Sequence, residues 1–219
     1  HTRCSRDWSS AVCSSDLFVD ADALALADPA PIWRAASAAP VTMTGEMLGP
    51  DDRAYHHGFA TRALMRRLGL RAYLKSNSGV FHVRRAGGAE ALAACVRCHR
   101  EEVSRLPTRL RPWRYLGDEL AFGVVGGRLG LGTFSGPGPM YWAPEILTLD
   151  PERPTKPILH FIASVPRRTL DAVLEGVRAR RRAAGIDPDA SLAVWRWKAR
   201  RGALSWTANQ TIRLLIGTG

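Results

Sequence analysis

Short apolar runs alternate along this chain with segments of helical period, and that alternation limits it to an α/β architecture. The runs are "LFVD" (Leu17 to Asp20), "PVTMTGEM" (Pro40 to Met47), "NSGVFHVRR" (Asn77 to Arg85) and "KPILHFIAS" (Lys156 to Ser164). Each is short and carries β-branched or aromatic residues, which favours a strand. Residues 51–70, 88–104 and 167–184 have helical spacing instead. Ala60, Leu64 and Leu68 mark the first, Leu92, Val96, His99 and Val103 the second, and Leu170, Val173, Leu174 and Val177 the third. The Gly-rich section from Gly123 to Gly138 reads as short strands and turns. No internal repeat or interdomain linker interrupts the series.

The first residues stand outside this pattern. "RDWSSAVCSSDL", Arg6 to Leu17, has no apolar period and no capping or turn logic. Apart from Ala11, where Asp would stand, it resembles the conceptual translation of a common short-read sequencing adapter. Residues 1–17 are therefore expected to be a non-native tail, with the folded protein starting at about Phe18 and its natural N-terminus missing. About 200 residues remain. That is enough for one domain with a sizeable core over 18–190, followed by a basic, Trp-rich segment over 191–219.

Setting the tail aside leaves Cys95 and Cys98 of the four cysteines, which excludes a disulfide framework and favours a reducing, cytoplasmic compartment. No apolar run reaches the roughly 18 residues of a membrane span. The net charge of +11 survives, because Arg3 and Arg6 balance Asp7 and Asp16. Only Lys75, Lys156 and Lys198 of the 31 basic residues are lysines, so arginine codon bias contributes to the charge. A basic chain favours anionic partners such as nucleotide diphosphates or acidic lipid surfaces. Nucleic acid is not expected, since no recognition helix, zinc finger or aromatic RNA platform accompanies the arginines.

Four pieces carry chemistry. In Asp20-Ala21-Asp22 both carboxylates project from one face at the carboxyl end of a strand, where α/β folds place ligands. Two such carboxylates repel unless a hard divalent cation separates them from an anionic substrate, and Mg²⁺ or Mn²⁺ on a diphosphate meets that need. Taken alone, Asp-x-Asp also describes a solvated turn. Asn77-Ser78-Gly79 is small and hydrogen-bonding, with room for a sugar, or is simply a strand-entry turn. Asp118-Glu119 opens the segment "LGDELAFG", a pair of acids that also suits a helix N-terminus. His160 lies mid-strand among apolar residues, as a ligand or as a satisfied core histidine.

In order and spacing the four resemble the nucleotide-sugar-dependent glycosyltransferases of the GT-A fold, closest to glycosyltransferase family 8, the glycogenin/galactosyltransferase-like family. That family's "DAD" after an apolar strand, "N-[SA]-G-V", "DQ" and late "H-F-x-G-x-x-K-P" correspond here to "FVDAD", "NSGVF", "GDE" and "HFIASVPRR", over Phe18 to Arg168. The resemblance implies a mixed sheet flanked by helices, truncated at its N-terminus, that transfers a sugar from a nucleotide-diphosphate donor to an acceptor hydroxyl. It implies Mn²⁺ or Mg²⁺ on Asp20, Asp22 and His160, with Asn77, Ser78, Gly79 and Asp118 lining the sugar pocket. Glu119 stands where the family has Gln, Ala163 where it has Gly, and Pro166-Arg167 where it has Lys-Pro. Arg167 then carries the charge that meets the leaving diphosphate. The Asp118-Glu119 pair is open to a second role, as general base of an inverting transferase. Base and ribose contacts in such folds come mostly from earlier strands, so the chain as given is expected to bind donor weakly and turn it over negligibly. A non-catalytic sugar- or nucleotide-binding relative is the alternative.

The C-terminal stretch intersperses Trp195, Trp197 and Trp206 with Arg196, Lys198, Arg200 and Arg201. That mixture suits peripheral contact with the inner face of a membrane, or a terminal helix packed on the core with a solvated basic face. A more distant rival for the whole chain is a c-type haem protein, because Cys95, Cys98 and His99 match Cys-x-x-Cys-His. The motif falls within a helical period, where buried small cysteines are the plainer reading. Expressed with cytochrome maturation machinery, the chain is expected to gain no covalent haem; a Soret band that survives denaturation would overturn that reading.

Overall fold

The computed structural model describes residues 15–20, 23–106, 117–136, 138–141, 145, 149–150, 152–160 and 167–189, the side chains of Arg167 and Thr169 excepted. Its elements, in chain order, are β1 (Ser15–Val19), β2 (Ala23–Ala25), α1 (Ala30–Ala35), β3 (Val41–Leu48), β4 (Tyr55–His56), β5 (Phe59–Ala60) and α2 (Thr61–Leu68). There follow β6 (Tyr73–Arg84), α3 (Arg85–Glu101), a 3₁₀ turn at Val103–Arg105, α4 (Asp118–Leu129), β7 (Gly132–Thr133), β8 (Met140–Tyr141), β9 (Ile158–His160) and α5 (Arg167–Ala183). The chain is α/β, with mixed sheets flanked by helices. Residues 1–20 with 30–139 make one compact unit, and residues 21–29 with 140–219 a second. Two separate apolar clusters form, each around its own sheet.

The first unit is built on a four-stranded sheet in the order β1-β6-β3-β7. β6 is its spine, antiparallel to both β1 and β3, while β7 joins β3 in parallel. Ser15, Asp16 and Leu17 pair with Arg84, Val83 and His82, so the strand starts before the expected boundary at Phe18. A ladder uses backbone groups alone, and β6 is long enough to offer partners that far.

Between Met43 and Thr44 the pairing of β3 jumps from Phe81 to Asn77, leaving Ser78, Gly79 and Val80 of β6 as a bulge. Asn77-Ser78-Gly79 is therefore a mid-strand feature and not a strand entry. The Asn77 side-chain Oδ1 accepts the Gly79 N–H at 2.8 Å, satisfying a donor that the ladder has left behind.

α4 lies along β6 and against α3. The expected turns of the Gly-rich section begin only after Leu129, because three of its glycines belong to this helix. A Cβ on Gly123 would sit 2.3 Å from the Tyr73 ring, one on Gly126 2.5 Å from Leu74 Cβ, and one on Gly127 1.9 Å from the Ala72 carbonyl oxygen. Glycine is chosen there for closeness, against its poor helix propensity. α3 follows the same logic. Ala86 and Gly87 are non-helical, so the regular helix starts at Gly88, as its period predicts. Its buried stripe is Gly88, Ala91, Cys95 and Cys98, whereas Val96, expected inside, is 51% exposed. The close approach, with a Gly88 Cβ 2.4 Å from Val83 Cγ1, selects the small face over the larger apolar one. Burial pushes the Cys95 and Cys98 thiols up to about 12 and about 11.

The helix expected over 51–70 is confined to Thr61–Leu68. The preceding residues form the β4–β5 hairpin, closed by His57 at φ 48° and Gly58 at φ 80°. Two left-handed residues in a two-residue loop match the right-handed twist of a hairpin, and a helix cannot pass through them.

The second unit has a sheet in the order β2-β9-β8, with β2 antiparallel and β8 parallel to β9. Leu170, Val173, Leu174 and Val177 of α5 are all buried against Leu24, Leu26, Tyr141 and Leu159, as their spacing predicts. Each such side chain contributes roughly 1.5–3 kcal/mol. The strand expected over Lys156 to Ser164 is seen at Ile158–His160, and residues 161–166 lie outside the described residues, as does the segment 191–219. Lys156 is buried but answered by Glu145 at 2.6 and 2.8 Å and by the Met140 carbonyl at 3.2 Å. Among the described residues no helix is long and apolar enough to cross a membrane.

The α4–β6 contact yields a stability test. Gly127→Ala gains about 1 kcal/mol of helix propensity yet places a methyl group inside the Ala72 carbonyl. Urea unfolding is expected to show a net loss of about 2–3 kcal/mol; a stabilised variant would show that α4 does not pack as described.

Candidate functional site

Three segments of the first unit meet at the β6 bulge. β1 ends there, with the Asp20 N–H donating to the Gly79 carbonyl at 2.9 Å. α4 starts there, aided by the favourable placing of acids in its first turn. Because the bulge takes Ser78 out of the β3 ladder, its N–H is free for another acceptor, and it donates to Glu119 Oε1 at 3.0 Å. The Ser78 hydroxyl is 3.5 Å from Asp118 Oδ1, which also accepts the Glu119 N–H at 3.0 Å.

The third segment is the β4–β5 turn. It brings His57 Nε2 to 2.5 Å from Glu119 Oε2, with His56 Nε2 at 3.7 Å from the same oxygen. His56 is buried, its Nδ1 2.6 Å from the Tyr73 hydroxyl and its Nε2 3.0 Å from the Ser76 carbonyl. Burial, with the Glu119 charge adding to it, raises the Tyr73 phenol well above its ordinary range, so Tyr73 is neutral and able to donate. A Tyr73 donor fixes the His56 proton on Nε2, facing the Ser76 carbonyl. His57 is about one-third exposed and occupies the left-handed conformation that few non-glycine residues adopt.

Glu119 is the electrostatic centre. Burial by itself raises a carboxyl group, but the nearby His56 imidazole, the hydrogen bonds from His57 and the Ser78 N–H, and the His57 charge together bring it down to about 2. Among the described residues, His56, His57 and Glu119 are the cluster whose donor atoms, all within 4.8 Å of one another, could hold a metal ion.

Comparison with protein families, curated proteins and solved structures returned no match.

The structure brings together most of the residues singled out in the sequence. Asn77, Ser78, Gly79, Asp118 and Glu119 form one hydrogen-bonded group, and the Asp20 backbone joins it through Gly79. Asp118 is exposed at the surface of the group and Glu119 is enclosed. Asp22 and the Arg167 side chain lie outside the described residues. His160 is buried in β9 of the second unit, opposite Ala23, the residue that follows Asp22. Sequence reading missed His56, His57 and Tyr73. The available signal was His57-Gly58 between two short strand-forming pairs, a dipeptide fit for a two-residue hairpin loop.

The state of Glu119 makes stability pH-dependent. A carboxyl held at about 2 against an ordinary 4.5 stabilises the fold fully above pH 4.5, and that contribution fades as pH falls towards 2. The shift corresponds to roughly 3 kcal/mol. Urea midpoints followed between pH 5 and pH 2 are expected to fall more steeply in the wild type than in Glu119→Gln. Parallel curves would show that Glu119 is not held ionised by its neighbours.

Proposed function

We propose that this chain is a GT-A-type glycosyltransferase that moves a sugar from a nucleotide-diphosphate donor to an acceptor hydroxyl with the help of Mn²⁺ or Mg²⁺. One observation carries the reading: Asp20, Asn77-Ser78-Gly79 and Asp118-Glu119, far apart in the sequence, converge on a single strand bulge. Acids at a strand end and at a helix start are the residue types that a site for a metal diphosphate and its sugar uses. The residues suit the ion. Asp20 is a half-buried carboxylate with its backbone pinned to Gly79, and a hard cation takes oxygen donors of that kind. Asp22 is its partner in the proposed ligand pair. A divalent cation, when bound, neutralises the diphosphate and makes it a better leaving group.

The protein's own groups divide the remaining work. Asp118 is exposed and stands beside the Ser78 hydroxyl, placed to hydrogen-bond a sugar or to take the proton of an acceptor hydroxyl. Glu119, held ionised with a proton affinity far below neutral, is a poor base. It holds Ser78 and His57 in place. The net charge of +11 draws an anionic donor to the chain.

The test is release of nucleotide diphosphate from a panel of nucleotide sugars, with and without Mn²⁺. Weak, Mn²⁺-dependent donor binding is expected, with slow release that falls to background in Asp118→Asn at unchanged urea unfolding, since removing a general base costs about 10²–10⁴-fold. Donor binding without turnover would identify a non-catalytic binding relative. Absence of donor binding in the presence of Mn²⁺ would overturn the proposal.

A further inference from the structure

We propose that His56, His57 and Glu119 form a binding site for a first-row transition metal of the Zn²⁺ class. This site is distinct in its ligands from the oxygen-ligated cation of the transferase reading, and its argument does not rest on that reading. One donor atom from each of the three residues lies within 4.8 Å of the other two. Tetrahedral coordination at about 2.0–2.2 Å sets neighbouring donors about 3.3 Å apart. The distances from Glu119 Oε2 to His57 Nε2, 2.5 Å, and to His56 Nε2, 3.7 Å, fall on either side of that spacing, and the two imidazole donors lie within 4.8 Å of each other. Two imidazoles and one carboxylate select Zn²⁺ or Co²⁺ over Mg²⁺ or Ca²⁺, which prefer oxygen throughout. Three protein ligands leave a coordination position open to solvent or substrate.

Two further features point to a ligand. Groups behind the three residues orient them as outer partners orient metal ligands. The Tyr73 hydroxyl is 2.6 Å from His56 Nδ1, and the Ser78 N–H holds the second Glu119 oxygen at 3.0 Å. The other feature is the cost of the turn. His57 has φ 48° ahead of Gly58 at φ 80°, and a two-residue loop of that conformation is best served by Asn-Gly or Gly-Gly. Histidine at that point sacrifices turn stability and supplies an imidazole beside a buried carboxylate.

Loading releases a proton to solvent. The His57 Nε2 proton that faces Glu119 leaves, Nδ1 keeps its own, and Nε2 turns its lone pair to the metal. His56 releases the Ser76 carbonyl and carries its proton on Nδ1, where the Tyr73 oxygen accepts it.

The turn makes the test clean, because His57→Asn removes a ligand while installing a residue that the loop prefers. The tag-free, chelator-stripped chain of residues 1–219 is titrated with Co²⁺. The expected result is one Co²⁺ per chain with visible d–d absorption, displaced by Zn²⁺ and not by millimolar Mg²⁺. In His57→Asn, folded by urea unfolding, affinity is expected to drop by more than about 100-fold, and in Tyr73→Phe by about 10–100-fold, the effect of losing an outer partner. An identical Co²⁺ spectrum in His57→Asn and Glu119→Gln, or no such absorption in the wild type, would overturn the proposal. The readout is metal absorption, so a failure of nucleotide-sugar turnover leaves it unaffected and the two proposals fail separately.

Discussion

The close seating of α4 on β6 underlies the rest of the first unit. Gly123, Gly126 and Gly127 bring the helix backbone down onto Ala72, Tyr73 and Leu74, at distances that a single methyl group would forbid. Dense contact of this kind is gained at a cost in helix propensity, which tertiary packing outweighs. It also fixes the height of the helix N-terminus over the sheet. Glu119 can reach the Ser78 N–H only because the axis of α4 is that low, and the packing of the core therefore sets the geometry of the site.

A local irregularity then supplies what the regular ladder withholds. Where β3 and β6 lose register, Ser78 to Val80 leave the pairing, and the donors released are taken up in different ways. Gly79 is satisfied by Asn77 from within the strand, while Ser78 turns to Glu119. Opposite, the β4–β5 turn delivers two imidazoles to the same carboxylate. Each partner favours the ionised form of Glu119, and together they reverse the effect of its burial.

Hydrophobic period made the regular parts of the fold legible. β3, β6 and β9 fall within or across their expected spans, and α5 buries the four residues that its spacing selects. The errors arise where small residues or backbone conformation overrule period. In α3 a stripe of Gly, Ala and Cys displaces Val96 from the core, because proximity to β6 rewards smallness and not hydrophobicity. In α4 the glycines suggested turns, although without a close neighbour in view nothing in the sequence distinguishes a packing glycine from a turning one. The helix expected from residue 51 fails at His57-Gly58, where the left-handed pair that closes a hairpin fell inside a plausible helical spacing. At the site, the acid pair and Asn77-Ser78-Gly79 were legible from their order, whereas the histidines were concealed by that mistaken helix.

The adjacent acids at the start of α4 show how one helix turn produces two different chemistries. Asp118 and Glu119 are consecutive, so a helix directs their side chains about 100° apart. One direction leads to the surface, where Asp118 Oδ1 takes the Ser78 hydroxyl and its neighbour's N–H and the carboxylate stays exposed. The other leads beneath the bulge, where Glu119 is enclosed by N–H donors on both of its oxygens. A carboxylate fully engaged by donors has little proton affinity left, and it aligns those donors. Separation of two like groups by environment is how sites assign different tasks to the same functional group. Exchanging Glu119 for Gln would set an NH₂ group against either the His57 imidazole or the Ser78 N–H, so the loss would be felt first in the alignment of those two residues.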